Sequence, residues 1–139
     1  MLKVLNILNS DTKFYTFVQM LKLSGVINSL YDHGPYTVLA PNNDAFGKIP
    51  SHQLTELFND VDALEELLLY NIIPGKFTTN ELIKFKSINT LQVQSIHVNY
   101  HKGFKVNNAL ILNSYVDLKN GIVYEIDEIL KMPELMAAI

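Results

Sequence analysis

The fold of this chain is decided by one stretch, Tyr36-Thr37-Val38-Leu39-Ala40-Pro41-Asn42-Asn43-Asp44-Ala45-Phe46. Its first five residues are β-branched, aromatic or apolar, which is the composition of a short buried strand. Pro41 lacks a backbone N–H and ends that strand, and the Asn and Asp side chains that follow can turn the chain. We therefore predict a strand, a turn and a short helix capped by Asp44, with Phe46 buried beneath the turn. This reading is structural and assigns the stretch no chemistry.

The composition suits one globular domain, because the chain has 139 residues and 48% of them are hydrophobic. The net charge of -3 gives no overall basic field, so nucleic acid is not an expected partner. The absence of cysteine excludes a disulfide framework and thiolate metal sites. No apolar segment is long enough to span a bilayer, and Met1 to Leu8 fits a helix better than a signal peptide because it lacks a small-residue cleavage site.

Helical periodicity dominates the first half of the chain outside the opening strand. The apolar positions that repeat at helical spacing are Val4, Leu5 and Leu8, then Phe14, Phe17, Val18 and Leu21, and later Val61, Leu64, Leu68 and Ile72. We expect a break at Ser24-Gly25, a cap from Asn59 or Asp60, and two shorter helices. Ser51 caps one of these short helices, and the other lies within residues 78–85, where Leu82, Ile83 and Phe85 can be buried.

From Ser87 onward the apolar period changes from that of a helix to that of a strand. Residues 96–100 alternate, and Lys102-Gly103 turns the chain so that Phe104 and Val106 return antiparallel. Asn120-Gly121 is a strong hairpin signal and predicts a type I′ turn before a last strand. Helices followed by strands, without βαβ alternation, indicate the α+β class.

With these elements in order, the chain resembles the fasciclin-like (FAS1) domain over nearly its whole length. Residues 37–46 are similar to the family's first motif, T-V-F-A-P-T-N-x-A-F, and residues 120–127 are similar to its second, N-G-V-I-H-V-I-D. Residues 69–75, 90–92 and 106–109 match three shorter segments between them. The resemblance implies helices packed on an antiparallel-rich β-wedge or sandwich, with one domain over residues 1–133 and a tail over 134–139. It also implies a role in adhesion or matrix binding rather than catalysis.

The chain departs from the family at positions that bear on binding. Asn71 stands where the family has the histidine of a Tyr-His motif, while Tyr124 and Glu125 replace a histidine and an apolar residue of the second motif. In animal members an Asp-Ile pair before the second motif is implicated in integrin binding, and Tyr115-Val116 occupy those positions here. The missing acidic residue argues against integrin binding by that route.

The candidate site residues divide into a binding set and a structural set. The binding candidates are Tyr70, Asn71, Tyr115 and Val116. The structural candidates are Thr37, Pro41, Asn43, Asp44, Phe46, Asn107, Asn108, Asn120, Gly121 and Asp127. For Asp127 we expect a hydrogen bond that anchors the last strand, and for Tyr70 a hydroxyl partner supplied by Asn71 or a nearby carbonyl.

Other polar residues give weaker signals. His97 and His101 would lie ~13 Å apart on a strand, too far for one zinc ion, so no metal is expected. Asp44 and Asp127 form a conceivable carboxylate pair, but the sequence has no nucleophile-base set, and we expect no cofactor. Four lysines at 84, 86, 102 and 105 are spread over different elements and read as solvated, as do His33 and His52, which we place in loops.

The sequence therefore predicts a noncatalytic module that binds a protein or polysaccharide of a cell surface or extracellular matrix. The alternative is a small ligand-binding protein or enzyme with a pocket between the helices and the β-wedge. A weak association between copies of this chain is also possible on the sequence. The family resemblance implies an extracellular or cell-surface location.

Overall fold

The computed structural model describes residues 2–32 and 34–132, and of Asp32 it describes the backbone alone. The helices in these ranges are α1 (Val4–Ser10), α2 (Tyr15–Ser24), α3 (Ser29–Asp32), α4 (Asn43–Gly47), α5 (Ser51–Asn59), α6 (Val61–Leu69) and α7 (Thr79–Leu82), with 3₁₀ turns at Thr12–Phe14 and Val26–Asn28. The strands are β1 (Tyr36–Pro41), β2 (Ile72–Pro74), β3 (Ser87–Asn89), β4 (Ser95–Asn99), β5 (Lys105–Val106), β6 (Ala109–Leu118) and β7 (Gly121–Ile126).

The described strands form one sheet in the order β2-β1-β7-β6-β5-β4-β3. Strand β1 pairs in parallel with β7, and the other described pairings are antiparallel. This mixed sheet with helices confirms the predicted α+β class and the antiparallel-rich character. The predicted tail and residue 133 lie outside the described residues, so the division at 133 stays a prediction.

Strands β1 and β7 lie inside the sheet with β2 and β6 beside them. The register runs from Tyr36 opposite Gly121 to Pro41 opposite Ile126. Every residue of β7 is buried, and so is every residue of β1 after Tyr36. A continuous buried run is typical of a strand covered on both faces. The two segments that resemble the family's main motifs are therefore direct neighbours in the sheet.

The helices follow their apolar periodicity and cover this sheet. Helix α1 buries Val4, Leu5 and Leu8 and contacts β7, while α2 packs on α1 and α6. Gly25, with a φ of 82°, ends α2 in the left-handed conformation, as expected for the break at Ser24-Gly25. The buried side chains of helices and sheet belong to one continuous cluster.

The end of α6 corrects the sequence reading. The predicted helical stripe extended to Ile72, but α6 ends at Leu69 and Ile72 begins β2, which pairs with β1. Val61, the first residue of that stripe, is exposed. Apolar residues at a four-residue spacing satisfy either element, so the pattern could not locate this boundary.

Two caps and two burial predictions were also wrong. Asn42, not Asp44, caps α4 by accepting from the Ala45 amide at 2.9 Å, because β1 runs through Pro41 and leaves Asn42 at the N-cap position. Pro50, not Ser51, occupies the N-cap of α5, without a side-chain bond. In and after α7, Leu82 is buried, whereas Ile83 and Phe85 are exposed because that helix is a single turn.

The hairpin before β7 forms with a different turn from the one predicted. Leu118 pairs with Gly121, so the connection is Lys119-Asn120, and Asn120 does not have a positive φ. The predicted type I′ turn at Asn120-Gly121 is therefore wrong. Gly121 is needed for another reason: a Cβ there would overlap the backbone carbonyl of Tyr36 in β1.

We predict that Gly121→Ala lowers the free energy of unfolding by about 3 kcal/mol or more, because β1 and β7 cannot keep their spacing around an added methyl group. The matched control is Gly47→Ala, where a Cβ meets no atom within 4 Å. Urea unfolding followed by circular dichroism measures both. Equal effects of the two substitutions would contradict the close β1–β7 approach.

Candidate functional site

A buried carboxylate lies at the end of the central strand pair. The side chain of Glu125 is 7% exposed and is bound by three donors. Asn42 Nδ2 donates to Oε2 at 2.8 Å, Asn113 Nδ2 donates to Oε1 at 2.6 Å, and Lys13 Nζ lies 3.1 Å from Oε1. This set of donors accounts for an acidic residue where the family has an apolar one.

The electrostatics of this cluster favour the ionised pair. Burial alone would raise the pKa of Glu125, but hydrogen bonds from Asn42, Asn113 and Lys13 outweigh it and hold that pKa below its ordinary value. The pKa of Lys13 is raised, first by a hydrogen bond with Tyr115 and further by Glu125, although partial burial opposes the shift. The cluster is a satisfied ion pair rather than an acid or base ready for proton transfer.

The predicted binding pair Tyr70-Asn71 lies in the interior. Asn71 Nδ2 donates to the carbonyls of Leu67 and Leu130 at 2.8 and 3.1 Å, and its Oδ1 accepts from the Leu130 amide at 3.1 Å. The Tyr70 hydroxyl donates to the Ser95 carbonyl at 2.8 Å, so a backbone carbonyl and not Asn71 is its acceptor. Both side chains are buried, which leaves neither available to a partner in this fold.

Three further motif asparagines join segments that are distant in sequence. Asn43 accepts from the Thr16 amide and donates to the Thr12 carbonyl. Asn107, at a φ of 50°, accepts from the His97 amide and donates to the Tyr70 hydroxyl. Asn120 accepts from the Val4 amide at 2.9 Å and donates to the Leu30 carbonyl at 3.3 Å. Each side-chain amide uses both its donor and its acceptor within the fold, on main-chain groups or, for the Asn107 donor, on the Tyr70 hydroxyl. This is a structural role.

Of the remaining motif residues, Thr37 and Asp127 also form hydrogen bonds with main-chain groups. Thr37 Oγ1 donates to the Gly75 carbonyl and accepts from the Phe77 amide. Asp127 Oδ1 accepts from the Leu110 amide at 2.8 Å, which is the expected anchor at the end of β7. Phe46 is in the core, Pro41 ends β1, and Asn108 is exposed.

Tyr124 takes the place of a histidine in the second motif and fixes the same loop as Thr37. Its hydroxyl donates to the Phe77 carbonyl at 2.8 Å. Burial, with a smaller effect of the Glu81 charge, raises the pKa of Tyr124 to about 12. A neutral buried phenol that donates one hydrogen bond is a packing element rather than a proton donor in catalysis.

Tyr115 and Val116 lie on β6 and face different surroundings. The Tyr115 ring is half-buried, with an edge-to-face contact to Phe14 at 6.4 Å between centroids and the Lys13 ammonium 5.4 Å from its own centroid. Val116 is 41% exposed, and Leu112 on the same strand is 45% exposed. Strand β5 pairs with β6 only at Ala109 and Leu110. Among the described strands, none pairs with the outer edge of β6 from Leu112 to Asp117, and we call this stretch the β6 edge.

The other candidate groups remain apart or in solvent. His97 in β4 and His101 in the following turn are exposed, His52 lies in the first turn of α5 rather than in a loop, and His33 is outside the described residues. Within residues 2–32 and 34–132, no group of three or more His, Asp or Glu side chains could hold a metal ion. Lys84 and Lys86 are exposed in the loop between α7 and β3, Lys102 is exposed in the turn after β4, and Lys105 is half-buried in β5.

A basic cleft is the site feature that sequence reasoning missed. It has a volume of about 600 Å³ and is lined by Lys3, Tyr31, Gly34, Pro35, Lys76, Lys119 and Asn120. The three lysines come from the start of α1, the loop after β2 and the β6–β7 turn, so they are far apart in sequence. Two smaller depressions of about 150 and 180 Å³ flank residues 128–131.

None of the described helices has the length and apolar character required to cross a bilayer.

Glu125 gives the protein a specific acid sensitivity. Because its folded pKa is lowered, its stabilising contribution is complete above the unfolded value of about 4.3 and is lost as the pH falls through the folded pKa. We predict that Glu125→Gln destabilises at neutral pH and that its difference from the parent protein shrinks on acidification. Urea unfolding over a pH series measures this, with the exposed Glu65→Gln as control. A difference independent of pH would contradict the ion-pair assignment.

Asn71→Ala removes the two side-chain hydrogen bonds that join Asn71 to Leu130 and the one that it donates to the Leu67 carbonyl. We expect a loss of about 2–4 kcal/mol in unfolding free energy, because the buried Leu67 and Leu130 groups lose their partner. Asn80→Ala, on the exposed side of α7, is the control and changes stability by less than about 0.5 kcal/mol. If Asn71→Ala had the melting temperature of the parent protein, the stabilising role of the Asn71 hydrogen bonds would be contradicted.

Comparison with known proteins supplies the family. The Fasciclin domain profile matches residues 12–133. The uncharacterized protein sll1735 of Synechocystis is 30% identical over 129 residues, which cover 93% of this chain and 97% of that protein. Immunogenic protein MPB70 of Mycobacterium bovis is 34% identical over 80% of this chain and 60% of its own length.

Longer relatives and a solved structure agree with this result. Transforming growth factor-beta-induced protein ig-h3 of Sus scrofa is 31% identical over 89% of this chain, which spans 18% of that protein. A FAS1 domain pair from the insect cell adhesion molecule Fasciclin I superposes with a TM-score of 0.67 at 18% identity, covering 86% of this chain and 45% of that one. The fold and the sequence together establish that this chain belongs to the fasciclin domain family.

Proposed function

We propose that this chain is a noncatalytic binding module that recognises a protein or polysaccharide at a cell surface or in the extracellular matrix. Two lines support the proposal: its family includes an insect cell adhesion molecule, and one strand carries an accessible edge. The β6 edge is the observation that carries it. Its occupant in this proposal is an extended segment of a protein ligand.

The β6 edge has the chemistry of a strand acceptor. Strand β6 has ten residues, and its pairing with β5 ends after two of them. Along Asn113 to Tyr115, between two register shifts in the pairing with β7, alternate backbone N–H and C=O groups face away from β7. An extended segment can add to such an edge through main-chain hydrogen bonds, with side-chain contacts at alternate positions giving selectivity. Exposed Leu112 and Val116 supply apolar contacts of that kind.

The strand behind this edge is held firmly. Along Asn113 to Tyr115, β6 pairs residue by residue with buried β7. Tyr115 is held between Phe14 and Lys13, and Asn113 is bound to Glu125. The middle of the edge, from Asn113 to Tyr115, is therefore fixed and needs little ordering on binding. The pairing with β7 shifts register on either side of this segment, and Leu112 and Val116 lie in those two intervals.

Catalysis has weaker support. The buried side-chain nitrogen and oxygen atoms in residues 2–32 and 34–132 all have hydrogen-bond partners. The shifted pKa values belong to satisfied structural groups, namely Glu125 with Lys13, Glu81 with Thr78, and Tyr124 with Phe77. The alternative of a small-molecule pocket between helices and sheet is favoured by one observation, the basic cleft.

We predict that Val116→Lys weakens binding of the module to its protein ligand at least tenfold without changing its melting temperature. The screen is a solid-phase panel of matrix proteins, glycosaminoglycans and microbial polysaccharides, followed by titration of each hit. Val61→Lys is the matched control, because Val61 is 44% exposed on α6, away from the β6 edge.

Three outcomes would count against the proposal: no saturable binder in the panel, equal losses for both lysine variants, or no loss for Val116→Lys. Sedimentation velocity of the parent protein and Val116→Lys identifies a fourth outcome. A dimer that Val116→Lys abolishes would assign the edge to a second copy of the chain instead of a separate ligand.

A further inference from the structure

We propose that the basic cleft binds an acidic sugar, a pyranose unit that carries a carboxylate or sulfate group. The inference rests on the proposed binding function for its context, but it uses none of the β6-edge residues. It names a second site and the chemical class of its ligand.

The cleft concentrates positive charge in an acidic protein. Lys3, Lys76 and Lys119 line it, whereas the whole chain carries a net charge of -3. Within the side chains that the structure describes, none of these three lysines forms an ion pair with a carboxylate. Lys76 donates one hydrogen bond, to the Leu118 carbonyl at 3.0 Å, which leaves two of its three ammonium donors. The cleft thus offers several cationic donors to an anionic group.

The floor of the cleft is rigid. The Asn120 side chain accepts a hydrogen bond from the Val4 amide and donates one to the Leu30 carbonyl. The Asn120 backbone carbonyl accepts a hydrogen bond from the Tyr36 amide at 2.9 Å. Gly34 approaches the same carbonyl so closely that a Cβ would lie 2.9 Å from it. The β6–β7 turn, α1 and β1 are therefore joined at Asn120, and Lys119 and Lys3 lie next to residues that these hydrogen bonds fix.

Tyr31 adds the feature that favours a sugar over a free ion. Tyr31 is 52% exposed and lines the cleft together with the three lysines. An aromatic face next to a few convergent polar donors is a usual lining for small-molecule sites, and the C–H face of a pyranose can lie against it. The volume of about 600 Å³ suits one or two sugar units that belong to a longer chain.

A nucleic acid fits these observations less well. Binding of a nucleic acid backbone needs a basic stripe that continues over many phosphates. Here Lys84, Lys86 and Lys102 are exposed in other loops and do not line the cleft. One local cationic site with an aromatic border is the arrangement for a single charged ring.

The experiment titrates the full chain with hexagalacturonate, a sulfated heparin hexasaccharide, neutral maltohexaose and inorganic sulfate, with binding followed by calorimetry and by amide shifts in NMR spectra. The two acidic sugars distinguish carboxylate from sulfate as the recognised group. We expect at least one of them to bind, maltohexaose not to bind, and binding to weaken as salt is raised. Amide shifts are expected at Lys3, Tyr31 and Lys119.

The test variant is Lys3→Gln with Lys119→Gln, which spares Lys76 because that side chain also supports the Leu118 carbonyl. We expect an affinity loss of about tenfold or more, the usual effect of removing charged hydrogen bonds. Lys84→Gln with Lys86→Gln makes the same change in net charge and should leave affinity unchanged. Tyr31→Ala should weaken sugar binding while inorganic sulfate binding stays as it was.

The inference is overturned if neither acidic sugar binds, if maltohexaose binds equally, if the two double variants lose affinity equally, or if inorganic sulfate alone binds. In each of these cases, a protein ligand whose binding is still reduced by Val116→Lys would leave the proposed function intact. If the cleft variants behave as expected but Val116→Lys does not reduce binding of any protein ligand, the proposed role of the β6 edge is overturned instead. Thermal unfolding of every variant excludes misfolding as the cause.

Discussion

The parallel pairing of β1 with β7 is the constraint on which the rest of this structure depends. Tyr36–Pro41 and Gly121–Ile126 lie side by side at full register, although about eighty residues separate them. At one end of the pair the Tyr36 amide donates a hydrogen bond to the Asn120 carbonyl, and at the other end the Asn42 amide donates one to the Ile126 carbonyl. Strand β2 adds to the outside of β1 and β6 adds to the outside of β7, so the sheet extends from this pair in both directions.

Asparagine side chains connect this pair to the helices and loops. Asn42 joins the end of β1 to Glu125 in β7, and Asn120 joins the start of β7 to α1 and α3. Asn71 joins the end of α6 to Leu130. A side-chain amide can donate and accept at once, so one residue satisfies main-chain groups of two segments. The hydrogen bonds of these motif residues are thus explained by folding, and Asn120 also lines the basic cleft.

Much of the fold could be predicted because its signals are local. The strand before Pro41, the apolar faces of α1 and α2 and the break at Gly25 follow from short-range pattern and backbone chemistry. The boundary at Ile72 could not be found, since an apolar residue four positions after Leu68 continues a helix as well as it starts a strand. Asn42 and Asp44 are both good capping residues, and the choice between them depends on where β1 ends.

The sites could be predicted less well, because they depend on tertiary contacts. The family motif predicts Tyr70 and Asn71 as a binding pair, but both side chains are buried and hydrogen-bonded inside the fold. Lys3, Lys76 and Lys119 had no common sequence signal, since β2, the β6–β7 turn and α1 bring them together. The β6 edge became visible only with the strand order, which shows how early the pairing with β5 ends. Native-state hydrogen exchange measures most directly how far the stability of the whole fold depends on the β1–β7 pair. We predict that the amides of Val38, Leu39 and Val123 exchange only through global unfolding, with the same free energy that urea denaturation gives. Exchange of these amides at a markedly lower free energy, while amides of α2 or α6 stay protected, would contradict it.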